Sequence, residues 1–256
     1  MTIKQEQLVR RLWIHHLPIF IVSALCVFLL YVTRPRGDVV SKISFSTAYP
    51  ALVLLSLTLL VGPWNLLRRK RTPISSDLRR DIGIWGGILA LIHTGIGQNV
   101  HLRGRPWLYY VYGNQGHHTF PLRHDLFGFA NYTGALSALI IIVLLATSNN
   151  FSLRALSTPR WKQLQRWNYA AFALMGAHAV GYQVNEDQEA PFVAIVAASI
   201  GVTIVLQAIG FQRRRAEALK EQKNHRGQTA AAQRAGTCGL ARKFHRELGS
   251  RPLSMA

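Results

Sequence analysis

Apolar residues along this chain fall in continuous blocks rather than in alternating or one-faced patterns. Six blocks of about 16 to 22 residues cover positions 13–32, 48–67, 82–97, 126–147, 167–184 and 191–211, and none contains Lys, Arg, Asp or Glu. A block of about 20 apolar residues matches the thickness of a bilayer and exceeds an ordinary core helix. Inside lipid a chain must satisfy its own backbone amides, which makes each block a helix. The pattern predicts an all-α polytopic membrane protein, a six-transmembrane-helix bundle. Positions 1–12 form a cytoplasmic N-terminus, 13–211 the membrane domain and 212–256 a basic cytoplasmic tail. The tail is expected to start as a helix over 213–223 and then to be disordered, because its composition is polar and basic. The first block follows a basic start, as a signal peptide would. No small-residue cleavage site follows it, only Thr33-Arg34-Pro35-Arg36, so it reads as a span.

Charge gives the spans a direction. Of the 30 Lys and Arg residues, 24 fall on segments that share a side with the N-terminus and 6 on the opposite loops. The basic-inside bias therefore puts both termini in the cytoplasm of a multi-pass protein of the cell inner (plasma) membrane. The net charge of +19 reads as this topology signal beside anionic lipid, not as a nucleic-acid surface. The two cysteines, Cys26 and Cys238, are far apart and build no disulfide scaffold. A soluble globular enzyme is excluded by the blocks themselves.

Ionisable groups deep in a span are costly and usually functional. Two of the ten histidines are deep, His93 in the third span and His178 in the fifth. His93 follows Arg80 by 13 residues, and His178 follows Arg166 by 12. Both spans run outward, so both imidazoles lie roughly 18–20 Å from the inner edge at the helical rise. Matched depth on two helices suits the two axial ligands of one haem. Gly83, Gly87, Gly95 and Gly97 flank His93, and Ala173, Ala177 and Gly181 share a stripe beside His178. Such small residues admit a close helix or a flat macrocycle. Plain helix contacts with hydrogen-bonded histidines, or a proton or ion path, are the alternatives. Thr94, Asn131, Thr133, Ser137 and Tyr182 are polar neighbours for the rings' second nitrogens.

Several ordered segments carry a resemblance. Leu78-Arg79-Arg80-Asp81-Ile82-Gly83-Ile84-Trp85 precedes Leu91-Ile92-His93. Leu145-Ala146-Thr147-Ser148-Asn149 precedes Trp161-Lys162-Gln163-Leu164-Gln165-Arg166-Trp167-Asn168-Tyr169, and His178 follows. Over about residues 45 to 210 the set resembles the ferric reductase-like transmembrane domain family, most narrowly the MsrQ/YedZ haem-binding membrane subunit of bacteria. That resemblance implies a six-helix haem b protein that moves electrons across the membrane, with His93 and His178 as iron ligands. Gln165 stands where the family has a histidine implicated in a second, inner haem, and Arg79 matches the basic position across from it. One haem is thus implied, with the inner haem either lost or served by a moved ligand such as His15 or His16.

The sequence holds no dinucleotide fingerprint, no P-loop and no C-x-x-C-H, and the tail is too short for a flavin or NADPH domain. The expected partners are a separate electron donor, a flavoprotein reductase or quinol, and an external acceptor, a protein or a metal ion. Such a chain is an oxidoreductase component rather than a self-contained enzyme. A non-redox transporter or assembly factor that reuses the fold without haem is the rival class. The loop at 98–125 adds Arg103 and Arg105 as partners for haem propionates. Its tyrosines read as an interfacial aromatic belt, and His117-His118 alone do not close a metal site.

Overall fold

The computed structural model describes residues 6, 9–34, 37–68, 74–113, 120–186 and 188–248, side chains at 103, 227 and 229–248 excepted. Every apolar block lies in a helix, to within a residue. The helices are α1 Leu17–Thr33, α2 Val39–Arg68, α3 Ser76–Gly97, α4 Leu126–Ala146, α5 Asn150–Leu156, α6 Thr158–Gln165, α7 Trp167–Asn185 and α8 Ala190–Leu248. One isolated bridge, Val111 with Leu122, is the nearest thing to a sheet among the described residues.

Four helical segments are long and apolar enough to cross a membrane: Val9–Thr33, Val39–Arg68, Leu126–Ala146 and Ala190–Arg226. The sequence pattern gives six. The two that fall short are α3 and α7, which carry the histidines and pay for them in hydropathy. Asp77, Arg79, Arg80 and Asp81 begin α3, and Asn168, His178, Gln183 and Asn185 interrupt α7. Large apolar side chains cover the outside of α1 and α8, among them Phe20, Leu25, Phe28, Val202 and Ile204, each about half exposed or more. A surface so apolar needs lipid around it.

α2 is the central rod, buried over 61% of its most apolar window against 6% for the first segment. Its packing explains local sequence choices. Pro63 has no N–H to give to Leu59, and Gln207 Nε2 donates to that freed carbonyl at 2.6 Å. A Cβ on Gly86 would meet Leu54 and Leu55 of α2 at 3.1 Å, so α3 lies close against α2. α4 and α7 form a second close pair. A Cβ on Gly181 would come within 2.8 Å of the Ala130 Cβ, and Ser137 Oγ donates to Ala171 O at 2.8 Å. The small residues named from sequence do not all serve: Ala173 is exposed and Gly95 faces open space, whereas Ala171 and Gly134 make the contacts.

The first segment departs from a plain helix. Leu12–His16 is a π-helical turn just before Pro18. It aims Arg11, His15 and His16 at Asp81, whose side chain has no solvent exposure. Arg11 grips both carboxylate oxygens, His15 Nδ1 lies 2.9 Å from Oδ2, and His16 Nε2 lies 3.4 Å from Oδ1. A buried carboxylate is tolerated when paired this fully.

The chain divides into two compact units, at Gln207 and Ala208. The second is helical through Leu248 and so extends well past the stretch at 213–223 that composition favours. Its Ala, Gln, Arg and Lys content suits a helix. Its described side chains beyond Gly210 are exposed.

Candidate functional site

The structure brings His93 and His178 together. Their ring centroids are 6.0 Å apart and their planes are inclined by 69°. Both line one cavity of about 190 Å³, whose walls come from α2, α3, α4 and α7. Ala48, Ala51, Ala90, Gly134, Ala135 and Ala138 are among the lining residues.

Each imidazole is held by a backbone carbonyl of a neighbouring helix. His178 Nδ1 lies 2.8 Å from Ala130 O, and His93 Nδ1 lies 2.9 Å from Ser44 O, with Ser44 Oγ at 3.3 Å. A carbonyl only accepts, so Nδ1 carries the proton in both rings. Each Nε2 is left with a lone pair, the tautomer a metal ligand requires. Ser44 and Ala130 were not legible as partners. The five polar neighbours expected from sequence bond elsewhere: Thr94 to Ala90 O, Thr133 to Phe129 O and Ala130 O, Ser137 to Ala171 O, and Tyr182 to Asn131 Oδ1. Asn131 in turn donates to Phe127 O. The Thr94 and Thr133 hydroxyls bond back along their own helices, while Ser137 and Tyr182 are spent bridging α4 and α7.

Gly134 is what lets His178 reach its carbonyl. It sits one helical turn beyond Ala130. A Cβ there would stand 2.5 Å from His178 Nδ1 and 2.9 Å from Cε1, closer than real contacts allow.

Two imidazoles gripping one metal fix a distance. Metal–nitrogen bonds of about 2 Å on each side, plus about 1 Å from each nitrogen to its ring centre, place the centroids roughly 6 Å apart. The observed separation equals that value. The donor set, the tautomers and the small-residue walls therefore fit a flat bis-imidazole metal group such as haem. No cluster of three or more His, Cys, Asp or Glu that could hold a bare ion occurs among the described residues.

The loop end of the cavity is polar. His101 lies 3.5 Å from Glu186 and stacks on Tyr182, which in turn lies 4.9 Å from His178, centroid to centroid. Tyr109 is not an interfacial belt residue. It is 1% exposed, donates to Gly97 O at 2.9 Å, accepts from His101 N at 2.7 Å, and so ties the loop to the end of α3. Burial pushes the Tyr109 phenol up from its ordinary value.

The remaining sequence candidates lie elsewhere. Arg79 donates through Nε to Thr58 O of α2 at 2.9 Å, away from the cavity. Arg105 is exposed, with its Nε 3.4 Å from Leu102 O. The Arg103 side chain, His117 and His118 lie outside the described residues. His15 and His16 are engaged by Asp81, and Gln165 Nε2 is buried with no partner among the described residues. Among the described residues the arginine that lines the cavity is Arg34, which in the sequence is one charge of an outer basic segment.

No protein-family model matches the chain. The chain is similar to a Deinococcus radiodurans protein named protein-methionine-sulfoxide reductase heme-binding subunit MsrQ. The two are 28% identical over 200 residues, which cover 73% of this chain and 82% of that protein.

Proposed function

We propose that this chain is a haem b electron-transfer subunit of the cell inner membrane, six times spanning with both termini inside, and that His93 and His178 hold the iron. The observation that carries the reading is the imidazole pair. Two rings 6.0 Å apart on one cavity each keep Nε2 free by giving Nδ1–H to a backbone carbonyl. The similarity to a heme-binding subunit supports the same group. Packed histidines without a metal need no such matched tautomers.

Haem, when bound, supplies a one-electron iron couple. The protein's part is to hold and tune it. Ser44 and Ala130 fix both tautomers and raise the basicity of each Nε2. Apolar walls from α2, α3, α4 and α7 exclude water, and this burial sets the potential together with the axial ligands. Tyr182 and His101 continue from His178 to the loop end, where an acceptor docks.

The chain holds one haem. Gln165 offers iron no imidazole, Arg79 is committed to Thr58, and His16 has its Nε2 on Asp81. The donor is quinol or a flavoprotein reductase. The acceptor is an external protein-methionine-sulfoxide reductase partner, by likeness to the relative's name, rather than a ferric ion.

Proteoliposomes carrying the purified chain and a quinol test this. The wild type should show a dithionite-reducible b-type spectrum and reduce an impermeant acceptor outside. His93→Ala and His178→Ala should lose both. A wild-type preparation without a Soret band would end the reading.

A further inference from the structure

Arg34 ends α1 and lines the same cavity as the histidine pair. Its guanidinium carbon lies 3.8 Å above the centre of the Phe45 ring, so the charge is held in place rather than free to wander. Among the described residues no carboxylate pairs with it. Arg11 has Asp81 and Asp77, Arg80 has Asp77, and Arg123 has Asp125. The carboxylate that lines the cavity among the described residues, Glu186, lies 3.5 Å from His101 instead.

A second feature of the same cavity points the same way. Gln183 lines it, donates Nε2 to Tyr49 Oη at 3.1 Å, and leaves its buried Oε1 without a partner among the described residues. Turning the amide over cures this. Oε1 then accepts from the Tyr49 hydroxyl, and Nε2 becomes a donor free for a ligand. A fixed guanidinium and an amide donor in one cavity together call for an anionic acceptor with planar oxygens.

We propose that Arg34, with Gln183 beside it, binds a carboxylate of the group held between His93 and His178. The inference rests on the haem reading above and adds the group's orientation: its acidic edge faces Arg34 and Gln183. Arg34 is then a positioning residue for the macrocycle, a task the sequence alone assigns to Arg103 and Arg105.

Haem and its dimethyl ester separate this role from a merely structural one. The full chain is produced under haem depletion, purified in detergent, and titrated with each porphyrin while the low-spin spectrum is followed. The wild type should bind haem at least about tenfold more tightly than the ester, as expected for one charge-assisted contact. Arg34→Gln should weaken haem by about that factor and leave ester affinity unchanged, and Arg34→Lys should restore part of the loss. Gln183→Leu should also act on haem alone. Equal loss for both porphyrins in Arg34→Gln, or no loss for either, would overturn the proposal. A wild type that gives no bis-imidazole spectrum with either porphyrin would overturn the histidine pair itself, and the anchor with it.

Discussion

Replacing Gly134 by alanine probes the site through a single carbon atom. The added Cβ would lie 2.5 Å from His178 Nδ1, 2.9 Å from Cε1 and 3.1 Å from Cγ. The ring cannot stay. It must move by about 1 Å to reach ordinary contact, and its 2.8 Å bond to Ala130 O is the first casualty. Losing a buried hydrogen bond costs about 1–3 kcal/mol, and overpacking a tight contact costs a similar amount. Together, at about 2 kcal/mol or more, they predict a fall in haem affinity of at least about thirtyfold. Gly201→Ala is the control, because a Cβ there meets nothing within 4 Å. Spectrophotometric titration of the purified chain in detergent measures both. Wild-type affinity and an unchanged low-spin spectrum in Gly134→Ala would refute the reasoning, since His178 would then not need its present position.

Three further outcomes follow from contacts outside the site. Asp81→Asn removes the buried negative charge that Arg11, His15 and His16 face, replaces one acceptor oxygen by a donor, and should lower stability by roughly 3–5 kcal/mol, as a reduced melting temperature in detergent, while the haem spectrum below the transition stays intact. Gln207→Leu leaves the Leu59 carbonyl unpaired beside Pro63 and should cost about 1 kcal/mol in the same assay. The Arg123 guanidinium holds the Asp125 carboxyl below its usual range, and Asp125 also caps α4 by accepting from Gly128 N. A depressed folded value means the cap contributes above the unfolded pKa of about 4 and fades as pH falls through the folded one. Protection factors at the start of α4, taken relative to the slower intrinsic exchange at low pH, should therefore fall on acidification, and Asp125→Asn should abolish that fall.

The helices and the histidine pair were legible because bilayer thickness and helical rise are fixed lengths. Thirteen and twelve residues from a basic edge translate directly into equal depth for His93 and His178. What holds the rings was not legible. Backbone carbonyls have no letter in a sequence, so Ser44 O and Ala130 O appear only once α2 and α4 are placed. Gly134 reads as one small residue among many until His178 is seen against it. Arg34 shares its stretch of sequence with Arg36 and Lys42, whose charges enter the topology count as a single sum, and only the cavity sets it apart. Asp81 shows the same limit: within Arg79-Arg80-Asp81 it reads as an edge charge, yet its partners lie 65 to 70 positions earlier.

The most direct test of the whole account is electron paramagnetic resonance of the oxidised, purified chain, with haem and protein quantified in the same sample. One low-spin haem per chain with a bis-imidazole signal, absent from both His93→Ala and His178→Ala, is the predicted result. A wild-type haem content that survives in both variants, or a high-spin signal in the wild type, would contradict it.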